Sequence, residues 1–383
     1  MIILNTRLTK FYKEVIKLKA RILTVLLALV LGTSLLLAAC AAPALTPSPT
    51  PSPSPSPSPT PAPSPTAEVY QWKLQDYAPA GSTSYVERTE PYIKAVEQAS
   101  GGRIQIKHFA AGELVPSFEV HGAVGEGIIE MGYSSSTYDM GSIPSAELLF
   151  GWPWLLESVP EFLTLQRNFG LNDVMREAYA EHNLHYIAYH TGPYYGDMMS
   201  TKELTKESDV KGLKIRTFGT LGNIYEELGG SVVQVPAEEI YTALATGVID
   251  ACCWSPLADF YDFGLHEVCQ YYVLPPALPI LGTGFLINLE LYNSLPDDLK
   301  TILDMAGEEA FVHYYAAFYQ DDMAAWEDMS QNYGVTKSIW TDETIAKFRE
   351  RSLYYLDQKA STDDYFARGA QVYKDYLTGL GRI

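Results

Sequence analysis

In DVKGLKIRTFGTLGNIYEELGGSVVQVPAEEIYTALATGVIDACCW (residues 209–254), runs of period two alternate with runs of period near 3.6. Leu213 to Thr217 reads as a strand, and Leu221 to Leu228 as a helix closed by Gly229 and Gly230. Ser231 to Val235 is a second strand, stopped by Pro236. Ala237 to Thr246 is a helix with Gly247 past its end, and Val248 to Ala251 is the next strand. This is the rhythm of an α/β protein with crossover helices.

The same reading extends outward. Tyr70 to Gln75 and Arg103 to Phe109 alternate like strands, with a helical run from Ser84 to Ser100 between them that ends at Gly101 and Gly102. Glu130 to Ser135 is a short strand, and His185 to His190 opens a second strand system. Pro296, Asp297 and Asp298 start a helix that runs past Trp326, long enough to lie across two lobes. No internal repeat is visible. A chain of 383 residues is about right for two lobes of ordinary size.

The formal net charge is −19, which weighs against nucleic acid as a partner. The first 39 residues carry six Lys/Arg and one acid, so the remainder is near −24. An acidic body that binds an anion needs a local, buried positive group. The four cysteines, Cys40, Cys252, Cys253 and Cys269, form no disulfide framework and no C-x-x-C pair. Adjacent Cys252 and Cys253 read as small packing residues ending a buried strand, ahead of a vicinal disulfide or a soft-metal pair. The histidines show no metal-ligand spacing beyond His182 and His185, and read as structural.

A basic stretch over residues 10–21 precedes an apolar run from Ile22 to Ala39, long enough on length alone for a retained membrane helix. Leu37, Ala38, Ala39 and Cys40 resemble a bacterial lipobox, which implies cleavage before Cys40, lipidation of its thiol and an extracytoplasmic body. Residues 43–66 repeat proline with Ser, Thr and Ala, a composition that favours extended polyproline II and a tether of roughly 70 Å. The organisation expected is a signal over 1–39, anchor and tether over 40–68, and a first lobe over 69–190 to which about 282–320 returns. The second lobe then covers 191–281, with about 321–383 as spanning and C-terminal helices.

Residues 209–254 closely resemble the central signature of the DctP-type solute-binding proteins of TRAP transporters. Gly101-Gly102-Arg103, Gly112-Glu113-Leu114, the run from Ala123 to Gly132 and the Leu295-Pro296 helix start fit the same family. The resemblance covers about residues 70–340. It implies a two-lobe periplasmic-binding-protein-like (type II) α/β fold, with hinge strands and a long helix spanning both lobes, that closes on a small organic carboxylate and delivers it to a permease driven by an ion gradient. No cofactor is implied, and no Walker-type loop is present.

Arg216 matches the family's carboxylate-binding arginine, and a planar guanidinium suits a carboxylate through two parallel hydrogen bonds. On spacing alone, a salt bridge to Glu226 or Glu227 is equally open. The resemblance implies a cleft wall or backbone carbonyl from Trp254, an aromatic from the first lobe at Tyr138, and Phe150, Trp152 and Trp154 nearby. Tyr194 falls at the hinge crossing. In the 2-oxo acid and lactate binders a glutamine stands at Tyr194 and a glutamate at Cys253, and the two help hold a bridging metal ion. Neither thiol nor phenol suits a hard cation, so no metal is expected here and the pocket is expected to be more apolar. A dicarboxylate would need a second cation, for which Arg88 is the first-lobe candidate; a monocarboxylate is the simpler expectation.

Two other classes remain open from residues alone. An exported enzyme would need a recognisable catalytic motif, and neither G-x-S-x-G nor H-E-x-x-H is present. An ABC-type binding protein, or a ligand-sensing lipoprotein serving a receptor, could share the two-lobe architecture.

Overall fold

The structure, a computed structural model, describes residues 68–190, 198–278, 280 and 282–383. The signal-like run, Cys40, the proline-rich stretch and Tyr194 lie outside these residues. No described helix is long and apolar enough to cross a membrane.

In chain order the described strands are β1 (Tyr70–Asp76), β2 (Ile104–Phe109), β3 (Met131–Ser135), β4 (Leu184–His190), β5 (Met198–Ser200), β6 (Lys214–Arg216), β7 (Ser231–Val233), β8 (Ala251–Cys253), β9 (Tyr271–Leu274), β10 (Thr283–Asn288) and β11 (Thr336–Ile339). They build two mixed sheets, ordered β2-β1-β3-β10-β4 and β11-β9-β5-β8-β6-β7. This is the α/β pattern that the alternation predicts, in the two-lobe arrangement that the family resemblance implies.

Period two shows directly in β1, where Trp72 and Leu74 are buried while Gln71 and Lys73 are exposed. β10 is buried along its whole length because it lies antiparallel between β3 and β4. Two elements differ from expectation. The run Ser84–Ser100 is a π-helical turn, Tyr85–Thr89, followed by an α-helix, Glu90–Ala99. Pro91 has no N–H to continue the ladder, and the wider turn takes up the mismatch. The strand expected over Val248–Ala251 instead begins at Ala251. Asp250 is held in the preceding turn, its carboxylate accepting from the Lys214 N–H, its carbonyl from the Thr201 N–H and its own N–H donating to the Lys214 carbonyl, so the strand starts three residues later than expected, with Ala251 level with Ile215 of β6.

The helix Asp297–Asn332 has 36 residues, about 54 Å at 1.5 Å per residue. Its first third packs Leu299, Leu303, Ala306 and Ala310 among the first sheet's core residues. Tyr314 and Phe318 meet Ala258, and Ala325 and Met329 join the core of the second sheet. One rigid element therefore touches both lobes.

Candidate ligand-binding site

β6, β7 and β8 run parallel, with Arg216 level with Val233 of β7 and Cys252 of β8. Their carboxyl ends thus converge, and in open α/β sheets this end of the strands is where ligands are held. Arg216 closes β6 and is fully buried. Its Nε donates to the Val235 carbonyl at 3.1 Å and its Nη1 to the Cys253 carbonyl at 2.9 Å. The two carbonyls beyond β7 and at the end of β8 fix the plane of the guanidinium. Glu226 and Glu227 are not its partners; Glu227 pairs with Arg351 at 3.4 Å.

The opposite lobe supplies Tyr138 from the one-turn helix Ser136–Asp139 that follows β3. Arg216 Nη2 donates to the Tyr138 hydroxyl at 3.3 Å. Burial raises the Tyr138 pKa against the lowering influence of the Arg216 charge, so the hydroxyl keeps its proton and can donate to a bound oxygen. The turn carrying Tyr138 is anchored from beneath. The buried Asp139 carboxylate accepts from Ser134 Oγ at 2.7 Å and Tyr179 Oη at 2.8 Å, with His121 Nδ1 at 3.3 Å.

Two aromatic residues not picked out from the sequence complete this cluster. Phe218 lies under the guanidinium, 4.5 Å from its carbon to the ring centroid, a stacking that favours the cation. Phe118 meets Tyr138 edge-on at 4.5 Å and Phe218 at 6.2 Å. Phe218 had a local signal, because it stands two residues after Arg216 where an extended chain returns to the same face. Phe118 had none.

The remaining predicted residues are placed less directly. Cys253 lends its carbonyl to Arg216 while its side chain belongs to the second sheet's core. Trp254 is buried there too, edge-on to Phe263 at 4.6 Å. Trp152 lies away from the guanidinium: its indole N–H donates to the Ser352 carbonyl at 2.8 Å and its ring meets Phe366, both in the C-terminal helices. Phe150, Trp152 and Phe218 line one gap of about 10 Å³, at the lower limit for a single water. That gap has no room for an organic ligand. Trp154 stacks on Phe348 at 4.4 Å. Grooves of about 610 and 480 Å³ flank Pro275 and Pro276 and share no lining residue with the Arg216 cluster.

Other charges nearby are already matched. Arg88 is fully buried and gives both hydrogen bonds of Nη2 to Asp76, at 2.8 and 3.0 Å, over the Tyr133 ring at 3.8 Å. Burial opposes the charge on Asp76, but Arg88, His108 and Thr89 outweigh it and hold its pKa below the usual value. The helix Gly219–Glu227 begins just after Phe218, and its N-terminus is a natural place for an anion. Glu147 occupies it, accepting from the Thr220 N–H and pairing with Lys359. Gly219, with φ +56°, is needed there because a Cβ would strike the Glu147 carboxylate.

The profile of bacterial extracellular solute-binding protein family 7, DctP, matches residues 75–363. The chain belongs to the DctP family. A monocarboxylate 2-oxoacid-binding periplasmic protein of Nostoc is 31% identical over 315 residues, 80% of this chain and 83% of its own. A TRAP periplasmic solute-binding protein of Pseudoalteromonas atlantica, solved with sodium and pyruvate, is 24% identical with a TM-score of 0.76, covering 82% of this chain and 95% of its own. One from Colwellia psychrerythraea, with calcium and pyruvate, matches with the same identity, TM-score and coverage. As a DctP protein the chain is an extracytoplasmic solute binder, and its relatives carry ligands rather than transform them. No group of three or more His, Cys, Asp or Glu is gathered among the described residues.

Proposed function

We propose that this DctP protein captures a small organic monocarboxylate by lobe closure and delivers it to an ion-gradient-driven TRAP permease. The observation that carries this reading is Arg216, a fully buried guanidinium oriented by the Val235 and Cys253 carbonyls and facing the Tyr138 hydroxyl of the other lobe. A carboxylate entering between Arg216 and Tyr138 would accept from both, replacing the direct contact between the lobes by one through the ligand. Commitment of Arg88 to Asp76 favours one carboxylate over two. The rings of Phe118, Tyr138 and Phe218 favour a 2-oxo or similar acid with an aliphatic or aromatic side chain. In this reading Trp254 and Tyr194 complete the cleft wall, and binding proceeds without a bridging cation. Lipidation of Cys40 and the proline-rich tether then hold the body outside the membrane. The family match disfavours an ABC-type or receptor-partner role.

A thermal-shift screen of mono- and dicarboxylates, run with and without chelator and with Arg216→Ala as control, tests the reading. A ligand at 100 times its Kd should stabilise the protein by about 2.7 kcal/mol. The expected hit is a monocarboxylate, insensitive to chelator and absent in the variant. A shift that survives Arg216→Ala moves the site elsewhere, and a hit abolished by chelator restores the cation.

A further inference from the structure

The two lobes also meet at a second place, away from the guanidinium. After β1 the chain turns at Gly81, φ +81°, and presents Thr83 and Ser84 to the helix Leu257–Asp262 of the other lobe. Thr83 donates twice to one Asp262 oxygen, from its N–H at 2.8 Å and its hydroxyl at 2.7 Å. Ser84 donates to Asp259, from its hydroxyl at 2.6 Å and its N–H at 3.3 Å. Residues separated by 175 and 179 positions are thus joined by four hydrogen bonds, all to carboxylates.

The inner half of this contact is sealed. Ser84 and Asp259 are buried, and Asp259 also accepts from Ser255 Oγ, which fixes its orientation. Ser84 Oγ lies 3.1 Å from the Tyr314 hydroxyl of the long helix, so three bodies meet on one serine. The outer half, Thr83 with Asp262, is partly solvated. Hydrogen bonds to ionised groups are stronger than neutral ones, and their worth grows where water is excluded.

We propose that Thr83 and Ser84 with Asp259 and Asp262 form a clasp that holds the lobes closed and sets how long the ligand is retained. The clasp rests on reading the Arg216 cleft as a site that opens and closes, but it contains no residue of that site. It makes closure partly ligand-independent. The ligand then supplies only the remaining free energy difference between open and closed forms. The three-way junction at Ser84 ties closure to the position of the long helix, which touches both lobes.

The test uses the full chain carrying a donor–acceptor dye pair at exposed Gln105 and Lys202, one in each lobe, with no ligand added. Thr83→Val with Ser84→Ala should shift the inter-lobe distance distribution towards the open form. Thr83→Ser with Ser84→Thr, which keeps all donors, should restore it. Asp262→Asn, at a partly exposed position, probes the outer half if the double variant fails to fold. With pyruvate as probe, dissociation from the double variant should be about tenfold faster, with association little changed. Identical distance distributions in wild type, Asp262→Asn and the double variant overturn the clasp, whatever the ligand screen finds. If the distances shift and no carboxylate binds, the clasp stands and the proposed ligand class falls.

Discussion

At the scale of single residues, Tyr138 and Asp259 make opposite demands on their surroundings. The Tyr138 hydroxyl meets a cation across the cleft, so Tyr138→Phe should keep the aromatic packing while weakening carboxylate binding by about tenfold, measured by titration calorimetry. Asp259 is a buried acid whose pKa is pushed up to about 6, chiefly by burial, against the lowering effects of Ser255, Ser84 and Arg88. Asp262 on its own helix adds to the rise. Across from it stand Tyr314, bonded to Ser84, and Asp322, itself raised to about 7 by burial and by neighbours that include Asp259. A folded-state pKa above the usual 3.8 means that the fold favours the protonated acid. The stability this contributes is fully present below about pH 3.8 and is lost as pH rises through 6. Asp259→Asn should therefore flatten the pH dependence of Tm between 4 and 7. A variant whose Tm keeps the wild-type pH dependence over that range would contradict this. Arg216 was legible from its motif and Tyr138 from its place after β3. Asp259 was not, because burial and the approach of Ser84 are tertiary facts with no trace in the residues beside it.

Among the elements, the close approach of β3 to the helix Val120–Gly125 rests on a glycine. A Cβ on Gly132 would overlap Val120 Cγ1 and come within 3.2 Å of Val124 Cγ2. Gly132→Ala should cost about 1–3 kcal/mol, seen as a lower urea midpoint with an unchanged slope. Most strands and helices could be found from their periods, since half-buried strands such as β1 alternate visibly. The misses have physical causes. At β8 a side-chain bond from Asp250 decides where pairing begins. Around Glu90, the proline that follows it, Pro91, turns one helical run into two kinds of helix. Phe118 reaches Tyr138 only through the packing of a short turn, which no period encodes.

For the molecule as a whole, the positive group that would bind the ligand sits inside a strongly acidic body. Its distant field repels an anion, and salt screens that field beyond about 10 Å at 0.1 M. Association of a monocarboxylate, followed by stopped-flow tryptophan fluorescence, should therefore speed up roughly threefold from low to moderate ionic strength. A rate that falls with salt would indicate attractive steering instead. The order of strands in the first sheet carries another consequence. β10 fills the place between β3 and β4, yet it lies almost a hundred residues beyond β4 in the chain. Until that strand has been synthesised, β4 has no neighbour in the sheet and β3 is left as an edge, so the early strands have no complete surface on which to settle. An exported protein gains from such a delay. Its connectivity postpones completion of the first sheet until about three quarters of the chain is available, leaving the nascent polypeptide looser while it is threaded across a membrane.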